Sequence, residues 1–314
     1  MIAFGSAITS PETYARCAEP GLRRVAEPGT VNLAGPAAGT IFRSYNALLD
    51  RAAALEDLEA LVLVHQDAEI ADPSFLPKLR HALGDPGVGV VGCVGAIGVR
   101  SIAWWEGSVT WASFTHRYTE LGGGEFPSLS WDSSALPPYA RTGEVDTVDG
   151  FVLALSPWVV RNVRFDEALG QALHGYDFDF CLQVREAGRK VVTADFKVVH
   201  HHALELAGDL ETWIEAHVCV AEKWSGRMPG IGTGGGTWQR RAHRAEAEAA
   251  AARAQALATE LRAAVRAERH AHDLREARES LSWRLTAPLR RLGGRATDDG
   301  GPVSPRPGVP SAAR

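Results

Sequence analysis

ALVLVHQD, residues Ala60 to Asp67, is the stretch from which the fold can be read. Five of the six residues before Gln66 are apolar, Val62 and Val64 are β-branched, and no helical period runs through them. Such a run is expected as a strand buried on both faces of a parallel sheet. It ends in His65, Gln66 and Asp67, which then emerge at the carboxyl edge of the sheet, where open α/β sheets bind their ligands. An imidazole and a carboxylate held there by a stiff strand suit Mg²⁺ or Mn²⁺ carrying a diphosphate. Asp67 taken alone reads first as the cap of the following turn.

Upstream, Ile2–Ile8 reads as a first strand, and Ser10-Pro11 as the start of a helix running to about Ala26, ahead of Pro28 and Gly29. A short strand near Thr30–Leu33 precedes a helix over Thr40–Ala54, whose Ile41, Tyr45, Leu48, Leu49 and Ala52 share one buried face, with Asn46 beside it. Downstream come a helix through about Leu83 and a strand at Val88–Val94. Residues 101–142 are irregular and rich in Trp104, Trp105, Trp111 and Trp131, flat faces that suit sugar rings or ordinary packing.

Strand character returns at Val145–Leu155, with Asp146 and Asp149 ahead of Gly150 and Phe151. In HGYDFDFCLQVREAG, residues 174–188, helical spacing puts Asp177 in a first turn, where free amides and the helix dipole favour a carboxylate. Asp179 falls on a different face, and one of the two reads as a plain first-turn charge. Lys190–Phe196 is the last core strand, and three histidines follow Val199. Alternation lets His200 and His202 point together while His201 points away. Strands alternating with helices define the fold class as α/β.

Composition narrows the partners. The net charge of −5 hides an asymmetry: residues 240–295 hold 13 Arg against 7 acids and residues 296–314 balance, so residues 1–239 carry −11. An acidic body excludes nucleic acid as the main partner, since phosphate binding needs a basic face. Cys17, Cys93, Cys181 and Cys219 form no Cys-x-x-Cys pair and are expected as reduced thiols. MIAFGSAITS lacks the charged n-region of a signal peptide, and Val88–Val99 is too short and glycine-broken to span a bilayer, so a cytoplasmic setting is expected.

Four blocks in order, residues 45–67, 146–153, 174–188 and His200–His202, resemble the family 2 glycosyltransferases of the GT-A type, over roughly the first two thirds of the chain. They are most similar to the StrF-like branch, with His-Gln-Asp in place of the usual Asp-x-Asp. The resemblance implies a Rossmann-like GT-A domain over residues 1–228, a mixed and mostly parallel sheet flanked by helices, and transfer of a sugar from a nucleotide-sugar donor to a glycan or other hydroxyl acceptor, by single displacement with inversion. It places Tyr45 and Asn46 near the nucleotide with His65 and Asp67, and a divalent metal (Mn²⁺ or Mg²⁺) on Asp67 with His200 or His202. Asp177 takes the position of the catalytic base, with Asp179 as the alternative, and Asp149, Gly150, Trp104 and Trp105 face the substrates. Asn46 reads equally as a polar residue on a helix flank. Two departures stand out: His65 replaces the first acid of Asp-x-Asp, and Tyr176 stands where many relatives have Glu. The altered motif leaves a second reading, a degenerate domain that binds nucleotide sugar or glycan as a scaffold. A nucleotidylyltransferase would want a Gly-rich loop with a basic residue after the first strand, which GSAITSPETYAR does not supply.

The C-terminal part reads as a separate object. Residues 229–239 are a glycine-rich linker, and residues 240–294 form an Ala-, Arg- and Glu-rich helical tail with a partial heptad at Leu257, Leu261 and Ala264. Trp283, Leu285, Leu289 and Leu292 interleave with Arg284, Arg290 and Arg291, a pattern suited to an anionic membrane surface at the inner face of the cell membrane or to self-association. Residues 295–314 are expected to be disordered.

Overall fold

A computed structural model describes residues 1–106, 108–111, 114–117, 125–127, 142–169, 174–201, 209–227 and 237–279 of the chain. From the N-terminus, β1 (Ile2–Gly5) and β2 (Ala7–Ile8) lead through α1 (Pro11–Arg16) and α2 (Ala18–Val25) to β3 (Val31–Asn32) and β4 (Gly35–Pro36). Then come α3 (Ile41–Ala53), β5 (Ala60–Val64), β6 (Ala68–Ile70), α4 (Phe75–Leu83), β7 (Val88–Gly92) and β8 (Val94–Ile97). Three short strands follow, β9 (Ser108–Trp111), β10 (Phe114–Arg117) and β11 (Glu125–Pro127). After them run β12 (Glu144–Val145), β13 (Thr147–Val148), β14 (Val152–Leu155), α5 (Pro157–Asn162) and α6 (Tyr176–Glu186). The chain closes with β15 (Lys190–Thr193), β16 (Val198–His200), α7 (Leu210–Lys223) and α8 (Thr237–Glu279).

The main sheet has seven strands in the order β12-β15-β7-β14-β5-β1-β3. β3, β1 and β5 are mutually parallel, as are β7 and β15, while β14 runs antiparallel between β5 and β7 and β12 antiparallel at the edge. This is the mixed, mostly parallel sheet that the sequence implied. All five residues of β5 are buried, and alternate ones enter different layers. Val62 and Val64 join Phe4, Phe75 and Trp213 on one face. Leu61 and Leu63 join Phe42, Tyr45, Val159 and Phe180 on the other, so the run must be apolar throughout. The reversal at β14 matters for function. Because Val152 lies opposite Val64, the residues entering β14 sit beside those leaving β5.

A second sheet, β11-β10-β16-β6, carries the histidine run past the end of β5, with His200 opposite Ala68. The first helix differs from the single span expected. Ser10 caps α1 through the Thr13 amide, but the helix breaks at Cys17. Pro20 explains the break: it has no N–H to give the Arg16 carbonyl and its ring crowds that carbonyl. Cys17, Cys93 and Cys181 are buried and Cys219 half-buried, all as thiols outside any disulfide.

The chain divides into two compact units, Met1–Thr259 and Glu260–Arg314. The first takes in the opening turns of α8, where Ala247, Ala250 and Ala251 are buried in the same cluster as Trp213 and Trp224. Arg244 pairs with Glu211 at 2.9 Å and Arg253 with Glu106 at 2.7 Å. The start of the helix is thus part of the body, through an alanine seam that allows close approach. Of the expected linker, residues 229–236 lie outside the described residues and Thr237–Gln239 already belong to α8. The Trp283–Leu292 motif and residues 295–314 also lie outside them, as does the Trp131 segment. Among the described residues no helix is long and apolar enough to cross a membrane.

Candidate active site

The end of β5 is tied down from two sides. The His65 amide continues the ladder to the Phe151 carbonyl at 2.9 Å. Gln66 turns its carboxamide to the loop after β2, accepting from the Thr9 and Ser10 amides at 2.9 and 2.8 Å and donating to the Thr9 hydroxyl at 2.7 Å. Gln66 is therefore a bracket between two loops, while its neighbours face the cleft.

Asp67 and His200 meet through the β6–β16 pairing. The His201 amide donates to the Asp67 carbonyl at 2.8 Å, and His200 Nε2 lies 3.7 Å from Asp67 Oδ1. His65 Nδ1 lies 3.9 Å from the same oxygen. His200 is stacked on Phe151, with ring centroids 4.5 Å apart and planes 17° apart, which sets the direction of its imidazole. His201 points the other way, to Glu69 at 3.1 Å, as alternation along an extended chain requires. His202 lies outside the described residues.

One donor atom each from His65, Asp67 and His200 falls within 4.8 Å of the others. Donors that share one ion, each bonded at about 2.1 Å, stand about 3 to 4 Å apart, so this set fits a divalent cation. It supplies two neutral nitrogens and one carboxylate oxygen.

Two further carboxylates, Asp149 and Asp177, come from the turn before β14 and from α6. Gly175, in the left-handed region at φ 81°, turns the chain into α6 and places Asp177 in its first turn. There Asp177 accepts from the Phe178 amide at 2.9 Å and from the Gly150 amide at 3.0 Å. Burial, and then the nearby Asp149 carboxylate, push its carboxyl well above the usual carboxylate range, against the pull of those amides. Gly150 admits no side chain, since a Cβ there would overlap the Tyr176 hydroxyl. Tyr176 in turn hydrogen-bonds His65 Nε2 at 2.7 Å. Tyr45 lies against Tyr176 edge to face, 5.7 Å between centroids, with its hydroxyl buried and without a hydrogen-bond partner among the described residues. Burial first, then the charges of Asp67 and Asp177, raise the pKa of that hydroxyl.

Other residues singled out in the sequence are placed elsewhere. Asp179 is fully buried and accepts from Lys223 at 2.7 Å, the Trp224 indole at 2.7 Å and Gln183 at 2.8 Å, which clamps α6 to α7. Asn46 exchanges hydrogen bonds with both backbone groups of Phe165 at 2.9 Å and donates to Glu167, holding α3 to the loop after α5. Asp146 caps the turn at Gly98 and pairs with Arg185 at 2.7 Å. Trp104 is buried in the core, and Trp105 is half-buried against Trp213. The sequence reading missed the Gln66 bracket, the Phe151 stack and the Tyr176–His65 bond. Only Tyr176 carried a signal, as a departure from the family pattern.

With this geometry in hand, comparison with known proteins places the chain. Residues 9–215, well over half of it, match the model of a glycosyltransferase-like family. The chain belongs to that family. Among curated members similar to this glycosyltransferase-like chain is the streptomycin biosynthesis protein StrF of Streptomyces griseus, 29% identical over 204 residues, 64% of this chain and 66% of that protein. The O-antigen biosynthesis protein RfbC of Myxococcus xanthus is 26% identical over 172 residues, 53% of this chain but only 13% of that protein. The chain thus spans just under two thirds of the first relative's length and a small part of the second's. A mannosyltransferase of Pyrobaculum calidifontis, solved with GDP-Man and Mn²⁺, is similar at TM-score 0.43 and 13% identity, covering 95% of this chain and 87% of that one.

Proposed function

We propose that the protein is an inverting, metal-dependent glycosyltransferase that moves a sugar from a nucleotide-sugar donor to a hydroxyl acceptor. The observation that carries this reading is Asp177: a half-buried carboxylate, oriented by two backbone amides and raised in pKa, next in the chain to Tyr176, whose hydroxyl bonds His65. A carboxylate poised nearer to neutral pH than usual is a better general base than an ordinary surface Asp. Asp177 accepts the acceptor hydroxyl's proton as that oxygen attacks the sugar carbon, and the amides of Gly150 and Phe178 hold its two oxygens in place while it does so.

His65, Asp67 and His200 would hold the metal, which when bound supplies Lewis-acid neutralisation of the leaving diphosphate. Gln66, by fixing the loop after β2 to the end of β5, sets the wall beside that diphosphate. Single displacement inverts the sugar carbon, and Asp177 serves as base only. The two curated relatives favour natural-product glycoside or cell-envelope glycan synthesis as the setting.

The test is release of nucleoside diphosphate from UDP-, GDP- and dTDP-sugars, with the anomeric configuration of the product read by NMR. Wild type is expected to turn over one donor class with inversion. Asp177→Asn should abolish turnover and leave donor binding near wild type; turnover retained in this variant would remove Asp177 from the role.

A further inference from the structure

The two residues by which this chain departs from the usual family pattern, His65 and Tyr176, are 111 positions apart and joined by one short hydrogen bond, Tyr176 Oη to His65 Nε2 at 2.7 Å. We propose that Tyr176 is a positioning residue that makes His65 a metal ligand through Nδ1, giving the site a two-imidazole, one-carboxylate donor set that selects Mn²⁺ and later first-row ions over Mg²⁺. The inference rests on the reading of this cleft as a metal-holding site and names which metal it takes.

A neutral imidazole has one N–H and one lone pair, so a partner at one nitrogen decides what the other can do. In the proposed tautomer His65 donates its Nε2–H to the phenol oxygen, which leaves the lone pair on Nδ1, the nitrogen 3.9 Å from Asp67 Oδ1. An oxygen partner on the far nitrogen is the ordinary way in which a metal-ligating histidine is oriented. The phenol is well suited to the task because it cannot move. It is buried, it stands edge to face with Phe42 and Tyr45 at 6.2 and 5.7 Å, and its hydroxyl occupies the space that a side chain at Gly150 would take. His65 is fixed at its other end by the ladder bond from its amide to Phe151.

The donor set then decides the ion. Mg²⁺ favours oxygen ligands in near-ideal octahedra, whereas imidazole nitrogen suits the transition metals, with affinity rising from Mn²⁺ towards Zn²⁺. Replacing an acid by His65 also lowers the negative charge at the site by one, which weakens a purely electrostatic site for Mg²⁺ most. In this account, Tyr176 and His65 are one device.

The test uses the full-length protein and Mn²⁺ alone, with bound metal counted by loss of the free-ion EPR signal, Mg²⁺ as competitor, and pulsed EPR counting directly bound nitrogens. Wild type should bind Mn²⁺ in preference to Mg²⁺, with two imidazole nitrogens on the ion. Tyr176→Phe, with an unchanged thermal midpoint, should weaken Mn²⁺ roughly 10- to 100-fold. His65→Ala should leave one nitrogen on the metal, and His65→Asp should raise Mg²⁺ affinity relative to Mn²⁺. Wild-type Mn²⁺ affinity and selectivity in folded Tyr176→Phe, or a single bound nitrogen in wild type, would overturn the proposal. A parallel titration with UDP, GDP and dTDP in EDTA separates the two levels. A wild type that binds a nucleotide in EDTA but no divalent ion refutes this inference together with the metal dependence, and leaves a metal-independent transferase standing; binding of no divalent ion, and of no nucleotide with or without Mn²⁺, refutes both.

Discussion

Asp179→Asn separates the two acids of α6 most sharply. Asp179 is fully buried, and its oxygens take the ammonium of Lys223, the indole N–H of Trp224 and the carboxamide of Gln183. Removing one partner of a buried ion pair costs about 3–5 kcal/mol, because the other charge is stranded. Here Lys223 keeps Asp166 at 2.7 Å and its side chain is 23% exposed, so the lower end applies. Asparagine also keeps one oxygen for Trp224. The expected loss is about 3 kcal/mol, which for a unit of this size is a fall of roughly 6–12 °C in thermal midpoint. Asp179→Leu strands the indole as well and should cost a further 1 kcal/mol or so. Thermal unfolding by circular dichroism gives the midpoint, and turnover well below that midpoint gives the activity of the folded protein. The account expects a lower midpoint with turnover near wild type, and Lys223→Met should then cost less on the Asp179→Leu background than alone. A variant with an unchanged midpoint and no turnover would refute the reasoning and make Asp179 the base.

Three further outcomes follow from the same geometry. Since Asp177 must be ionised to act as base and its pKa is raised by burial and by Asp149, turnover should fall as pH drops through the neutral range; Asp149→Asn should shift that fall to lower pH in a pH–rate profile. Gly150→Ala drives a methyl into Tyr176, so it should lower stability by about 1–3 kcal/mol by unfolding in urea and reduce turnover together. His217 is 2% exposed, and its pKa is pushed down to about 4, chiefly by burial and secondarily by His243 and Arg253, with Glu106 opposing. Its neutral form stabilises the fold fully above about pH 6.5, and that contribution is lost as pH falls towards 4, on the order of 3 kcal/mol at about 1.4 kcal/mol per unit; His217→Leu should flatten that part of the stability–pH curve, and an unchanged curve would contradict the assignment.

What could be read in the sequence was whatever a local period determines. The unbroken apolar run of β5 required burial on both faces, and its polar end then had to lie at a sheet edge. Alternation alone separated His200, which turns to Asp67, from His201, which turns to Glu69. The Ser10 cap was legible for the same reason, as a contact over three residues. What escaped was long-range or local but overlooked. Pro20 divides the first helix, a plain rule applied one proline too late, at Pro28. Asp177 and Asp179 look alike as first-turn acids, and it is Lys223 and Trp224, more than forty positions on, that tie Asp179 to α7. Nothing in the spacing of His65 and Tyr176 announces that they touch. The alanine seam of α8 was hidden by composition: Ala247, Ala250 and Ala251 favour a helix anywhere, and their burial depends on the surface that they meet.

The most direct test of the central claim is isothermal titration of the purified chain with UDP, GDP and dTDP, each with and without Mn²⁺. The account predicts that one nucleotide binds tightly only with the metal and that Asp67→Ala removes the metal-dependent part. Wild type that binds none of the three under either condition would contradict it and favour a degenerate domain that serves as a scaffold.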